Sequence, residues 1–299
     1  MEHDRKLRRE IVSQEKRTRE EDEATAMPDS LERDYVIGTH DEEIVRLGVQ
    51  HSVWRPRVLE CWRRAGITTG SRVMDVGAGP GYATIDLAEI VGPTGHVIAV
   101  ERSAHFLQNA REACRVRGLA NVRLCELDLM DEPLGANDLD AIWCRWVACF
   151  VLSPARLIAN IAAALRKGGI AIFHEYIDYG SWRLAPRRPA VESFVSEVMA
   201  SWRQAGGEPD IASSLPGLLR DAGFRIRHMS PIVYAATPND FVWQWPSRFL
   251  KGFLPRLLEL GQVDASWADS VRREFEEAES DPSTIMVTPM LLEIVAERA

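Results

Sequence analysis

The stretch Val73-Met74-Asp75-Val76-Gly77-Ala78-Gly79-Pro80-Gly81 constrains this chain more than any other feature. A short apolar strand runs into glycines at every second position, and from Gly81 to Val91 the apolar spacing becomes helical. Without Cβ atoms the loop's main chain can approach a ligand closely, while the helix behind it presents unpaired amides and the positive end of its dipole. The strand His96–Val100 follows, and Glu101 stands at its end, twenty residues after Gly81. An acid in that place accepts hydrogen bonds from both ribose hydroxyls of a bound nucleoside. Loop and acid together describe a nucleoside site on a strand–helix–strand unit.

The same rhythm continues along the chain. Ser103 caps a helix with Leu107, Ala110 and Cys114 on one face, Gly118 ends it, and Val122–Leu127 reads as a strand. Asp140–Cys144 is a fourth strand. Ser153-Pro154 then opens a helix with Leu157, Ile161 and Leu165 inward, and Gly168-Gly169 leads into the strand Ile170–Tyr176. Such alternation means a parallel sheet covered on both faces. After residue 177 it breaks into helices near 188–205, 211–222 and 238–280, with strands starting at Phe224 and running over Leu291–Arg298. Before it, helical spacing around Val58, Leu59, Trp62 and Ala65 places Pro56 in a first turn and Gly66 at a stop. The expected layout is a charged arm over 1–34, a helical lid over 35–70, a cofactor-binding core over 71–176, and a remainder over 177–299 with an inserted helical cap.

Composition narrows the class of function. With 46% hydrophobic and 27% charged residues the chain reads as globular. A net charge of −8 disfavours general affinity for nucleic acid or anionic membrane. No apolar run approaches the ~18 residues of a membrane span. The N-terminal MEHDRKLRREIVSQEK lacks the apolar region of a signal peptide, so the expected location is the cytoplasm. Cys61, Cys114, Cys125, Cys144 and Cys149 lack the close spacing of a zinc site, and no metal is expected.

Two nucleoside cofactors compete for the loop. Dinucleotide folds space their glycines GxGxxG around a pyrophosphate, whereas this loop is GxGxG after Asp75, an acid that would repel phosphate but suits an ammonium or sulfonium group. Here the sequence resembles the class I S-adenosylmethionine-dependent methyltransferases. The loop DVGAGPG, the strand VIAVE, Leu127-Asp128-Leu129 and LRKGG carry the resemblance, and Tyr35-Val36-Ile37-Gly38 with EEIVRLGVQ looks like the start of the ubiquinone/menaquinone-type and natural-product enzymes. The resemblance implies a seven-stranded Rossmann-like α/β fold with an N-terminal helical extension and inserted cap. It also implies S-adenosylmethionine as cofactor. Asp75 and Gly77 would flank the methionine part, Gly79 and Gly81 give close backbone approach, Glu101 hold the ribose, and Asp128 and Leu129 meet the adenine. Arg102 and Phe106 are candidates to pack beside the adenine, Tyr35 to close over the cofactor, and Gln50, His51 and Trp54 to line the pocket entrance.

Methyl transfer from a sulfonium needs alignment, and sometimes a base, rather than a metal. The acceptor belongs outside the carboxyl ends of the fourth and fifth strands, where Arg145, His174 and Glu175 stand. Adjacent strand positions point to opposite faces, so only one of His174 and Glu175 would face the acceptor. His174 suits a base, Glu175 a partner for a cationic amine, and Arg145 an anionic acceptor. Tyr176, Tyr179, Trp182, Trp202, Phe241, Trp243, Trp245 and Phe249 concentrate in the cap and point to a small apolar or aromatic acceptor. A homo-oligomer is left open. The alternatives are a nicotinamide-dependent oxidoreductase and a non-catalytic cofactor-binding assembly or regulatory protein.

Overall fold

The structure is a computed structural model and describes residues 40–129 and 133–299. The charged arm and Tyr35 lie outside the described residues. Helix α1 (Asp41–Arg64) opens at His40, whose side chain accepts from the Glu43 amide, and carries three acids in its first turn and Arg63 and Arg64 in its last. Both ends therefore complement the helix dipole. Pro56 does not start a helix here: it lies inside α1. Buried Val53 and Trp54 on one side of it, and Val58, Cys61 and Trp62 on the other, share the face turned to the sheet. That burial outweighs one lost backbone hydrogen bond at an exposed proline.

The core then alternates β1 (Arg72–Val76), α2 (Tyr82–Val91), β2 (His96–Glu101), α3 (Ala104–Val116), β3 (Val122–Glu126), β4 (Leu139–Arg145), α4 (Pro154–Ala164) and β5 (Leu165–Asp178). Ser103 and Ser153 cap α3 and α4 with their hydroxyls, as their sequence positions predict. β5 begins five residues before the expected Ile170. The remainder supplies β6 (Arg183–Ala185), α5 (Pro189–Gln204), α6 (Leu215–Asp221), β7 (Phe224–Ile232), β8 (Ala235–Ala236), α7 (Gln244–Glu259), α8 (Ala265–Ser280), β9 (Ile285–Val287) and β10 (Met290–Arg298).

Seven strands form one sheet in the order β3-β2-β1-β4-β5-β10-β7. β10 runs antiparallel to both neighbours, and the β1–β5 strands pair in parallel. One face buries Met74, Val76, Ile142, Cys144, Phe173 and Ile294 against Leu157 and Ile161 of α4 and Leu215 and Leu219 of α6. On the other face Trp62 of α1 meets Trp143 edge-on at 5.3 Å, and Trp143 meets His174 at 4.8 Å. A second sheet, β6-β9-β8, was not expected from the sequence. Its strands are two or three residues long, and Arg183 pairs with the distant Val287, so neither periodicity nor a turn announces it. No helix among the described residues is long and apolar enough to cross a membrane.

Candidate cofactor and acceptor site

The glycine loop folds back onto β2. The Gly77 and Ala78 amides donate to the Val100 carbonyl at 2.9 and 3.0 Å. Glu101 Oε2 accepts from the Gly79 amide at 2.9 Å, while Oε1 accepts from Arg102 and Ser103. Burial pushes the Glu101 carboxyl up against those three bonds. The loop glycines serve different ends, although all have positive φ. A Cβ on Gly77 would stand 2.3 Å from Val147 Cγ2, and one on Gly81 would stand 2.7 Å from Ala110 Cβ. One on Gly79 would meet nothing nearer than Leu47 Cδ1 at 4.0 Å. Gly77 and Gly81 are thus required by packing, whereas among the described residues Gly79 leaves room for a Cβ in ordinary contact with Leu47.

Asp75, at the end of β1, is 2% exposed and accepts from Thr84 Oγ1 at 2.6 Å. Burial raises its pKa to about 6, against the Thr84 bond and the charge of Arg145. These residues fit S-adenosylmethionine in three respects. Among the described residues a Cβ on Gly79 would meet only Leu47 Cδ1, Glu101 Oε2 takes one donor, and the buried Asp75 carboxylate lacks a contact cation and would gain from one. Asp128 and Leu129 follow β3 and are half-buried, next to the Leu127 amide that bonds the Glu101 carbonyl. Arg102 is half-buried beside Glu101, and Phe106 is fully buried in the α3 interface.

The end of β4 forms the neighbouring wall. Arg145 Nη2 lies 3.2 Å from His51 Nδ1, and His51 Nε2 lies 3.1 Å from Asp86 Oδ2, which Arg55 also binds. Burial lowers the pKa of Arg145 to about 10 and pushes that of His51 down. The guanidinium carbon sits 5.0 Å from the Trp146 ring centroid and 5.7 Å from that of Trp143. Trp146 has φ +52, a left-handed conformation that costs a bulky residue about 1–2 kcal/mol. Its indole stacks with Tyr176 and Trp245, and Trp54 meets it edge-on. Trp245 Nε1 bonds Gln50 of α1 at 2.9 Å, which ties the cap helix α7 to the N-terminal helix. Tyr234 closes on Trp54 at 5.1 Å. The structure therefore brings Gln50, His51 and Trp54 together with Arg145, Tyr176 of β5 and Trp245 of the cap helix α7. Trp182 and Trp243 lie in the cap interior instead, and Phe241 is exposed.

His174 and Glu175 are both fully buried and diverge as strand neighbours must. His174 Nε2 lies 3.0 Å from Glu293 Oε2, and burial holds its imidazole below the usual range. Cys61 Sγ, a His174 nitrogen and a Glu293 oxygen all lie within 4.8 Å of one another, and Arg64 pairs with the same carboxylate. Glu175 Oε1 accepts from the Val147 and Ala148 amides at 2.8 and 2.9 Å, fixing the loop after β4. Burial nevertheless raises its pKa to about 7. Sequence reasoning missed Asp86, Tyr234 and Glu293, whose partners are distant in the chain.

Comparison with known proteins agrees with this geometry. Residues 67–205 match the profile of a methyltransferase domain family. The matched segment runs from before β1, through the glycine loop, to the end of α5. Its relatives include the demethylmenaquinone methyltransferase of Staphylococcus aureus strain JH9, 36% identical over 123 residues, or 41% of this chain and 49% of that enzyme. The chain thus spans about half the length of the curated relatives it matches. Among solved structures, the YcgJ protein of Bacillus subtilis superposes with a TM-score of 0.54 at 15% identity, covering 83% of this chain and 98% of that one. The [4+2]-cyclase SpnF gives 0.52 at 21% identity, covering 80% and 79%. At such identities these structures speak for the fold alone.

Proposed function

We propose that this protein transfers a methyl group from S-adenosylmethionine to a small, ring-bearing acceptor. The observation that carries the proposal is the adjacency of two features: a glycine loop pinned by Glu101 with room at Gly79 among the described residues, and an aromatic wall at the carboxyl ends of β4 and β5. The cofactor supplies the activated methyl group on a sulfonium that is its own leaving group. Glu101 binds the ribose through its remaining acceptor capacity, and Asp128 and Leu129 border the adenine. Trp54, Trp146, Tyr176, Tyr234 and Trp245 exclude water and orient the acceptor ring, so the rate comes from alignment. In this reading His174 and Glu175 are framework groups, since each is buried against a protein partner.

Calorimetry with S-adenosylhomocysteine tests the cofactor. Incubation with methyl-labelled S-adenosylmethionine and a small-molecule extract, followed by mass spectrometry, identifies the acceptor. Binding in the micromolar range with a labelled ring compound is the expected outcome. A protein that does not bind S-adenosylhomocysteine would overturn the proposal. Binding without any labelled product would favour a cofactor-holding protein of the same fold.

A further inference from the structure

Four metal-ligating side chains from four elements converge on the sheet face beneath α1, and the methyl-transfer site uses none of them. Glu293 of β10 stands directly opposite His174 of β5, so the two side chains share a face. Across its other edge Glu293 pairs with Ser230 of β7, and His228, two residues before Ser230, shares that face as well. Helix α1 brings Cys61 and, one turn on, Arg64 to the same carboxylate. Cys61 Sγ, a His174 nitrogen and a Glu293 oxygen lie within 4.8 Å of one another, and His228 Nε2 lies 3.3 Å from Glu293 Oε1.

The protein's own groups leave this cluster partly unanswered. His174 Nε2 bonds Glu293 Oε2 at 3.0 Å, but His174 Nδ1 and His228 Nε2 are buried atoms that make no hydrogen bond among the described residues. A buried polar atom without a partner is costly, and these two call for a ligand from outside the chain. Arg64, which meets the Glu293 carboxylate, is partly exposed and also lies 3.4 Å from Glu60, so it can turn outward and yield its place. A thiolate, two imidazoles and one carboxylate are a zinc set, whereas calcium and magnesium take oxygens. One thiolate and one carboxylate also cancel a divalent charge, as a buried ion requires. Around a tetrahedral ion with bonds of about 2.0–2.3 Å, ligand atoms stand roughly 3.5 Å apart, close to the 3.0 and 3.3 Å found here.

We propose that Cys61, His174, His228 and Glu293 form a zinc site that fastens α1 to the antiparallel end of the sheet. Zinc takes the place of Arg64 at Glu293, and Cys61 binds as thiolate, its proton passing to solvent. The role is structural: the ion holds the helix that carries Gln50, His51 and Trp54 to the acceptor wall, and the site stands independently of the cofactor assignment. Because each ligand comes from a different element, no close cysteine or histidine spacing announces it in the sequence.

Cobalt(II) is the probe, since it accepts zinc's ligands and its absorption reports them. Metal-stripped full-length protein should take up about one cobalt ion per chain, with the near-ultraviolet charge-transfer absorption of a cobalt–thiolate bond and the intense visible bands of a four-coordinate ion, and added zinc should bleach both. Cys61→Ser, a near-isosteric change, should lose the charge-transfer absorption. His228→Gln, at the partly exposed ligand, should weaken cobalt binding at least about tenfold, and Arg64→Met should tighten it by about as much because a competing cation is gone. A hydrogen-bonded network without a metal predicts no such gain from Arg64→Met. Absence of the charge-transfer absorption in the wild-type protein, which needs no variant to fold, would overturn the proposal. Its persistence in Cys61→Ser would put the ion on another thiol and overturn it as well. So would unchanged affinity in both His228→Gln and Arg64→Met.

Discussion

Glu175 shows how far a residue's role depends on where its strand sends it. Its Oε1 takes both amide bonds from the loop after β4, so glutamine can keep them while removing the charge. The folded pKa, about 7, lies above the ordinary value of 4.5, because burial disfavours the charged form. Stability from this group is therefore full below the unfolded pKa and lost as pH rises through about 7. The loss amounts to about 3 kcal/mol at 1.36 kcal/mol per unit. Urea unfolding should show Glu175→Gln nearly matching wild type at pH 5 and exceeding it at pH 8. Parallel pH profiles for the two proteins would show that Glu175 does not titrate in this range.

At the scale of elements, the glycine loop separates packing from binding within five residues. Gly79→Ala should fold with a loss of only about 1–2 kcal/mol from its left-handed backbone, because among the described residues its Cβ meets only Leu47 at 4.0 Å. The same methyl group fills the space over the loop, so S-adenosylhomocysteine affinity should fall at least about tenfold. Gly77→Ala drives its Cβ into Val147, the residue whose amide Glu175 holds, and should lower stability more than Gly79→Ala does. Thermal melts and calorimetry on both variants check this order. A larger stability loss for Gly79→Ala would reverse the assignment of the two glycines.

Across the whole molecule, Glu293 joins the two ends of the described chain. It sits in β10, fully buried, and receives His174 from β5 and Arg64 from α1, with His228 of β7 at 3.3 Å. Burial works against its charge, yet the His174 bond and the Arg64 charge keep its carboxyl below the usual range. Removing one partner of a buried pair leaves the other charge or dipole uncompensated, at about 3–5 kcal/mol. Glu293→Ala should therefore destabilise by that amount in urea unfolding, with Glu293→Gln falling between it and wild type. A loss under about 1 kcal/mol would mean that the C-terminal strand is held by its ladder and apolar face alone.

The order of strands and helices from β1 to β5, the caps at Ser103 and Ser153, the glycine loop and the place of Glu101 at the end of β2 were legible in the sequence. Each is a local signal: apolar period, a capping hydroxyl three residues before the amide it meets, or a spacing of glycines. The identity of the side chains that meet at the site was legible only in part. Arg145, His51 and Trp54 could be placed near the strand ends, but the Arg145–His51–Asp86 chain could not. It links β4, α1 and α2, and no periodicity records which long side chains touch across a sheet face. Trp146 in a left-handed backbone, the inward turn of His174 to Glu293, the short second sheet and the uninterrupted course of α1 through Pro56 were decided by tertiary packing. In each case burial shared among elements distant in the chain outweighed a local preference.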